Sequence, residues 1–324
     1  MTSRAFPALL GALLAAGAGA AAAQAYPVKP LRLIVPFAPG GPNDLLGRLV
    51  GQKLTEAWGQ SVVIENRGGA GGTVGLDVAA KAAPDGYTLA MGGTSNMAVA
   101  PSLYAKLPYD SLRDFTAVTN VARVPYAVAV NPGVPAKSIR ELTLLAKTRP
   151  GYLSYGSSGT GSISSLAAEI YQSMTGTNIV HVPYKGTAPA LTEVMAGQVD
   201  MMFADLALIV PFAKAGKLRA VAVTDSRRAK IAPDLPTIAE SGLKGYEVSP
   251  WFGVVGPAGI PREVVTKLSS GIVAALKSPD VAARLDQLGY EPVGDGAEAF
   301  AATIRADMVK YAKVIKAAGI KADL

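Results

Sequence analysis

The feature that most constrains this chain is the order of its segments. Short apolar runs of β type alternate with stretches of helical periodicity almost from end to end. Leu31–Val35 is a β run followed by turn residues 36–43. From Leu45 the apolar residues Leu45, Leu46, Leu49, Val50, Leu54 and Trp58 recur at helical spacing. Strand-type runs return at residues 61–64, 87–90, 124–130, 153–156, 179–182, 199–203 and 218–223, with helices expected between them, for example over 74–82, 98–104 and up to Met174. Ser138-Ile139-Arg140-Glu141 has the spacing of a capping box and opens another helix. Alternation of this kind predicts an α/β fold with mainly parallel sheets flanked by helices.

Two β-rich segments, residues 115–123 and 246–256, read as crossings between two lobes. Beyond Pro261 the chain is helical, over residues 263–277, 281–288 and 297–318, so it returns to its first lobe. The expected division is 26–124 for the first part of lobe 1, 125–249 for lobe 2 and 250–324 for the return to lobe 1. Two lobes on a two-strand hinge would hold a ligand in the cleft between them.

Residues 1–25 stand apart. Arg4 precedes an unbroken Ala, Leu and Gly run over residues 8–23, and Ala23-Gln24-Ala25 supplies a small-x-small site. That is the layout of a secretory signal peptide cleaved before Tyr26, and the run falls short of the roughly 20 residues a membrane-spanning helix needs. Only Arg4 would leave with the leader, so the formal charge of +7 drops by one. The Lys and Arg residues are scattered, and their densest cluster, Arg227, Arg228 and Lys230, has no interleaved aromatic. Attraction for small anions, not nucleic-acid binding, is the expected meaning.

Composition removes much chemistry. With no Cys and one His among 324 residues, thiolate nucleophiles, iron–sulfur clusters and multi-histidine metal sites are excluded, and neither metal nor cofactor is expected. No P-loop string and no G-x-S-x-G elbow occurs, and Val74 sits where a dinucleotide fingerprint after Gly69-Ala70-Gly71 needs its third Gly. His181 lies within an apolar run and reads as structural, so a hydrolytic triad is not expected.

What remains are four loops, each after a predicted strand and before a helix. They are Pro39-Gly40-Gly41-Pro42-Asn43-Asp44, Gly92-Gly93-Thr94-Ser95-Asn96, Ser157-Ser158-Gly159-Thr160-Gly161-Ser162 and Tyr184-Lys185-Gly186-Thr187. In open parallel sheets, ligands bind beyond the carboxyl ends of the strands. Gly lets the backbone approach closely, and each helix start offers N–H groups and a positive dipole end. Four such loops at one cleft would hold an anion without a fixed side-chain charge. Asp44 reads as the cap of a helix from Leu45 or as a ligand contact, and Asp205 leaves the same two readings open. Lys185 reads as an anion partner or a solvated loop residue. Phe37 and Trp251 read as ligand flanks or as core.

These motifs resemble the solute receptors of tripartite tricarboxylate transporters, the Bug family. The resemblance runs through Val35-Pro36-Phe37-Ala38-Pro39-Gly40-Gly41 with Asp44 and Arg48, Glu65-Asn66-Arg67, Asp85-Gly86-Tyr87-Thr88-Leu89, Leu107-Pro108-Tyr109-Asp110, Val182-Pro183-Tyr184-Lys185-Gly186, Ala215-Gly216-Lys217-Leu218-Arg219 and Trp251-Phe252-Gly253. It implies a monomeric periplasmic receptor of the Venus-flytrap type, with the two-lobed type II-like binding-protein fold and no catalytic residues. Such a receptor delivers a small carboxylate to integral-membrane permease subunits. Carried over by position, ligand contacts fall on Phe37, Ala38, Pro39, Gly40, Gly41, Asn43, Asp44, Thr94, Ser95, Ser157, Ser158, Gly159, Thr160, Gly161, Ser162, Tyr184, Lys185, Gly186 and Asp205. The chain departs from the family pattern at Gly68 for a common Pro, Gly47 for Ala, Ser165 for His, and Asn43 for Ser or Thr. Gly68 is expected to loosen its loop away from the site. The alternative function is a ligand-sensing subunit for a membrane sensor kinase. An α/β hydrolase or nucleotide enzyme is disfavoured by the missing motifs.

Overall fold

Alternating strand and helix periods do produce an α/β molecule, arranged around two sheets. A computed structural model describes residues 26–320. The expected leader, residues 1–25, lies outside them. The chain opens with β1 (Leu31–Val35), α1 (Pro42–Trp58), β2 (Val62–Asn66), α2 (Thr73–Ala80) and β3 (Thr88–Gly93). A π-helical turn, Thr94–Val99, leads into the short α3 (Ala100–Leu103), then β4 (Phe115–Arg123). Next come β5 (Tyr126–Val130), α4 (Ile139–Thr148), β6 (Ser154–Ser157), α5 (Ile163–Thr175), β7 (Val180–Pro183), α6 (Thr187–Met195), β8 (Met201–Asp205), α7 (Leu206–Lys214) and β9 (Arg219–Val223). β10 (Trp251–Pro257), α8 (Arg262–Lys277), α9 (Pro279–Leu288), β11 (Glu291–Pro292) and α10 (Ala297–Ala318) complete it.

The first sheet has the order β11-β4-β10-β3-β1-β2 and the second β7-β6-β8-β5-β9. Both are mixed, where mainly parallel sheets were expected. β1 pairs in parallel with β2 and β3, and β6 with β7 and β8, but β10 runs antiparallel to β3 and β4, and β5 to β8 and β9. The reason is connectivity. β5 and β10 are the strands by which the chain enters each sheet from the other, so they start where the parallel strands end. Tyr126, the first residue of β5, stands opposite Asp205, the last of β8; Trp251, the first of β10, stands opposite Arg123, the last of β4. The segments read as crossings are thus mostly strands of the first sheet. The passage itself is short, and Val124 N–H donates to Pro250 O across it at 2.9 Å.

One apolar cluster takes in Leu33, Val35 and Met91 of the first sheet together with Val128, Tyr155 and Phe203 of the second, and a smaller one lies around Ala127, Met202 and Leu191. Burying such side chains contributes about 25 cal/mol per Å² of apolar surface. Helix ends follow local chemistry. Ser138 Oγ accepts from Glu141 N at 3.2 Å, while Glu141 reaches back to Lys137 N at 2.7 Å, one residue before the expected partner.

Candidate functional site

Because the parallel strands of both sheets end toward each other, the loops that follow them meet. β1 delivers residues 36–41, β3 the π-helical turn, β6 the Ser-rich loop and β7 residues 184–186. Among the described residues three bonds cross the cleft at these loops, while Tyr290 with Asp205, Arg227 with Glu291 and Lys310 with Glu247 join the halves elsewhere. Ala38 N–H donates to Lys185 O at 3.0 Å, Ile163 N–H to Ser95 Oγ at 2.8 Å, and Tyr104 OH to Thr160 O at 2.8 Å. Glycine permits this approach. A Cβ on Gly71 would lie 2.9 Å from Thr160 O, and Gly71 itself has φ +62.

Between the loops lies a cavity lined by Phe37, Gly41, Pro42, Asn43, Ser95, Tyr126, Ser158, Thr187 and Phe252. It leaves about 10 Å³ for the centres of water molecules, room for about one water. No Lys, Arg, Asp or Glu lines it. The polarity comes from hydroxyls, one amide and the starts of α1 and α6, where Asn43, Thr187 and Ala188 carry N–H groups that reach no carbonyl inside their own helix, while Pro42 and Pro189 have none to offer. Asn43 is 4% exposed, and its Oδ1 has no hydrogen-bond partner. A buried acceptor left unpaired costs stability, so a donor on a bound molecule would find a prepared position there.

Of the residues expected to touch ligand, the cavity gathers Phe37, Gly41, Asn43, Ser95 and Ser158. The others support these. Asp44 is not the cap of its helix, since α1 begins at Pro42 with Gly41 as N-cap. It is buried in the first turn instead and accepts from Gly40 N at 3.0 Å, Arg48 Nε at 2.9 Å and Asn66 Nδ2 at 3.0 Å. Burial alone would raise its pKa, but the bonds from Arg48, Asn66 and Gly40 hold it below the ordinary carboxylate value. Pro39 is exposed at the rim, with Ala38 bonded across it as above. Thr94 Oγ1 accepts from Trp251 N at 2.9 Å.

Ser157 Oγ pairs with His181 Nε2 at 2.6 Å and accepts from Gly159 N at 3.1 Å. Burial lowers the His181 pKa, and the ring stacks on Tyr155 at 4.7 Å. The structural reading of this histidine therefore holds in the geometry. Ser162 caps α5 by accepting from Ser165 N at 3.2 Å. Thr160 and Gly161 lie against Tyr104, Tyr184 N–H donates to Ser157 O at 3.1 Å, and Gly186 packs on Ala38. Lys185 uses its backbone carbonyl at the rim while its side chain is exposed.

Asp205 lies at the hinge. It caps α7 by accepting from Ala207 N at 2.9 Å, and it also accepts from Tyr290 OH. Complete burial raises its carboxyl to about 7, with Tyr290 and Ala207 offsetting part of the rise. Gly68 is not remote from the site as expected, because a Cβ there would sit 3.0 Å from Lys185 O. Trp251 is core, fully buried edge-on to Phe300 with its indole N–H donating to Asp307 Oδ2 at 2.6 Å. Its neighbour Phe252 takes the other face of β10 and lines the cavity, as strand alternation requires. Phe252 and Tyr126 were missed as site residues; both sit in continuous apolar runs that do not mark which face meets the cleft. Pro42 lies within the stretch 37–44 on which contacts are expected, whereas Thr187 belongs to a loop singled out in the sequence but was not expected to make contact.

Comparison with known proteins agrees with this geometry. The family model for the tripartite tricarboxylate transporter family receptor matches residues 46–320. The periplasmic binding protein BugD is 36% identical, with a TM-score of 0.88 over 91% of this chain and 99% of its own. A Rhodopseudomonas palustris protein, Rpa4515, solved with adipate, is 38% identical, with a TM-score of 0.88 over 91% of this chain and 99% of its own. MatC from the same species, solved with bound malate, is 33% identical, with a TM-score of 0.86 over 90% and 100%. The fold is that of periplasmic binding proteins, and the chain belongs to the tripartite tricarboxylate transporter receptor family, as a solute receptor and not an enzyme.

Proposed function

We propose that this chain binds a small carboxylate in the cleft where this cavity lies, the facing loops parting to make room for it, and delivers it to the integral-membrane permease subunits of a tripartite transporter. It does so in the periplasm as a monomer, after removal of residues 1–25, with lobes over 26–124 plus 250–324 and over 125–249. The observation that supports this most directly is the cavity lining. Its polar groups are uncharged, two helices start at its wall, and Asn43 Oδ1 is buried there without a partner. Such a site attracts an anion through helix N–H groups and dipoles, and it offers an acceptor for a ligand hydroxyl or a bridging water. Adipate and malate, bound by two related proteins, make dicarboxylates of four to six carbons the first candidates. Among the described residues no helix is long and apolar enough to cross a membrane.

The test is calorimetry with adipate, malate, succinate and citrate on the parent and on two variants. Gly41→Val adds side-chain atoms toward Thr187, whose Oγ1 would already lie 3.6 Å from a Cβ, without straining a backbone at φ −89. It should abolish binding while the protein stays folded. Lys185→Met removes an exposed charge and leaves the rim carbonyl, so it should weaken binding a few-fold at most. Larger damage from Lys185→Met than from Gly41→Val would overturn the neutral-cradle account.

A further inference from the structure

We propose that Tyr104 is the latch of the closed receptor: donating from the first half to Thr160 O of the second, its hydroxyl holds the cleft shut through a bond containing no ligand atom. This positioning role rests on the receptor reading above. Of the three bonds across the cleft, two depend on backbone donors, Ala38 and Ile163, that nearly any residue there would supply. Ser95, which accepts one of these, also lines the cavity and so belongs to the ligand site. Tyr104 does not line the cavity, and it spends a side chain on the facing loop at 2.8 Å.

The facing loop is shaped to receive it. Gly161 has φ +73, and a Cβ there would lie 2.5 Å from the Tyr104 oxygen and 2.7 Å from its ring. Only glycine fits both the backbone conformation and the ring. Burial and the nearby Glu169 raise the Tyr104 phenol to about 12, so it remains a donor at any physiological pH.

A bond present in the closed form and absent in the open one multiplies the closed-to-open ratio by about 2- to 10-fold. When ligand binds the closed form, apparent affinity falls with the closed fraction: by the whole factor where the free receptor is mostly open, by less as the closed share rises, and equally for every ligand. Size selection would stay with the cavity, and the latch would set how firmly any occupant is held.

The experiment uses the absence of Cys from the chain, which makes paired labelling clean. Spin labels at Lys106→Cys and Lys147→Cys report the distance between halves by pulsed electron resonance. In ligand-free protein, Tyr104→Phe should move population toward longer distances, and Tyr104→Met, which keeps bulk without a donor, should repeat the shift. Tyr26→Phe removes a hydroxyl bonded to Gly86 O inside the first half and should leave the distances unchanged. Calorimetry with adipate and malate should show Tyr104→Phe weakening each by one common factor, at most about 10-fold and equal to the fall in the closed fraction that the distances give. Identical distance distributions for parent and both Tyr104 variants, or an equal shift from Tyr26→Phe, would overturn the latch. If neither acid binds the parent, the choice of ligand fails, and the distances still decide the latch.

Discussion

At the scale of single residues, the two buried aspartates show how one side chain serves opposite ends. Asp44 sits among donors and stays ionised, tying the Gly40–Gly41 loop to α1 and, through Asn66, to the end of β2. Asp205 is wholly buried beside a phenol and an amide, and its pKa rises to about 7. An unfolded Asp titrates near 3.9. Between these values the folded protein holds a proton that the unfolded chain has lost, so the contribution to stability is fullest below about pH 4 and falls as pH rises through about 7. The loss is at most about 1.4 kcal/mol per pH unit within that window. Thermal unfolding at pH 5 and pH 8 should therefore show a steeper drop for the parent than for Asp205→Asn, which carries no titrating group there. Parallel changes in the two proteins would mean that Asp205 does not titrate in this range. Both residues were singled out in the sequence. The cap reading of Asp205 is one of the two the sequence left open, and the structure bears it out. Its second bond, to a tyrosine 85 residues further on, and the loop-tying role of Asp44 were not legible, because an acidic residue before a helix looks the same whatever lies opposite it.

Elements were easier to read than their faces. The bounds of α10 match the expected helix to the residue, and those of β1 do as well, since each has a clean period and clear turn residues beside it. The expected helix over 98–104 shrinks to four residues behind a π-helical turn. Here Asn96 Oδ1 accepts from Gly93 N at 2.9 Å and Tyr109 OH donates to Asn96 O at 2.5 Å, holding the backbone in the wider coil. In β10, Gly253 is the point of closest packing. A Cβ there would collide with the ring of Phe300 on α10 and lie 2.7 Å from Thr119 O on β4. Gly253→Ala should then destabilise by about 1–3 kcal/mol, the usual cost of overpacking. A lower denaturant midpoint at unchanged slope is the expected reading; no shift would mean α10 moves aside freely. Ser162→Ala should cost about 1 kcal/mol through loss of the α5 cap, and a midpoint within error of the parent would show Ser162 Oγ to be dispensable.

For the whole molecule, the two passages of chain near Val124–Pro125 and Pro250–Trp251 make a narrow hinge, with Asp205 and Tyr290 pinning the helical tail to the second sheet beside it. A ligand that binds between the halves should favour the closed form. Small-angle scattering is expected to give a smaller radius of gyration with a saturating acid than without. Equal radii would mean that the halves are already shut in solution and that entry depends on rare opening.

The sequence by itself determined the alternation of strand and helix, the loops after the strands, the exclusion of thiol chemistry and of multi-histidine metal sites, and the family. These follow from local periods, turn residues and residue inventory, which need no third dimension. Only the tertiary structure decided which loop residues face the cavity, the reversed direction of β5 and β10, and the bonds that cross the cleft. Each of those depends on two segments far apart in the chain coming within a few ångströms, as Tyr104 and Thr160 do, and no local pattern encodes such a meeting.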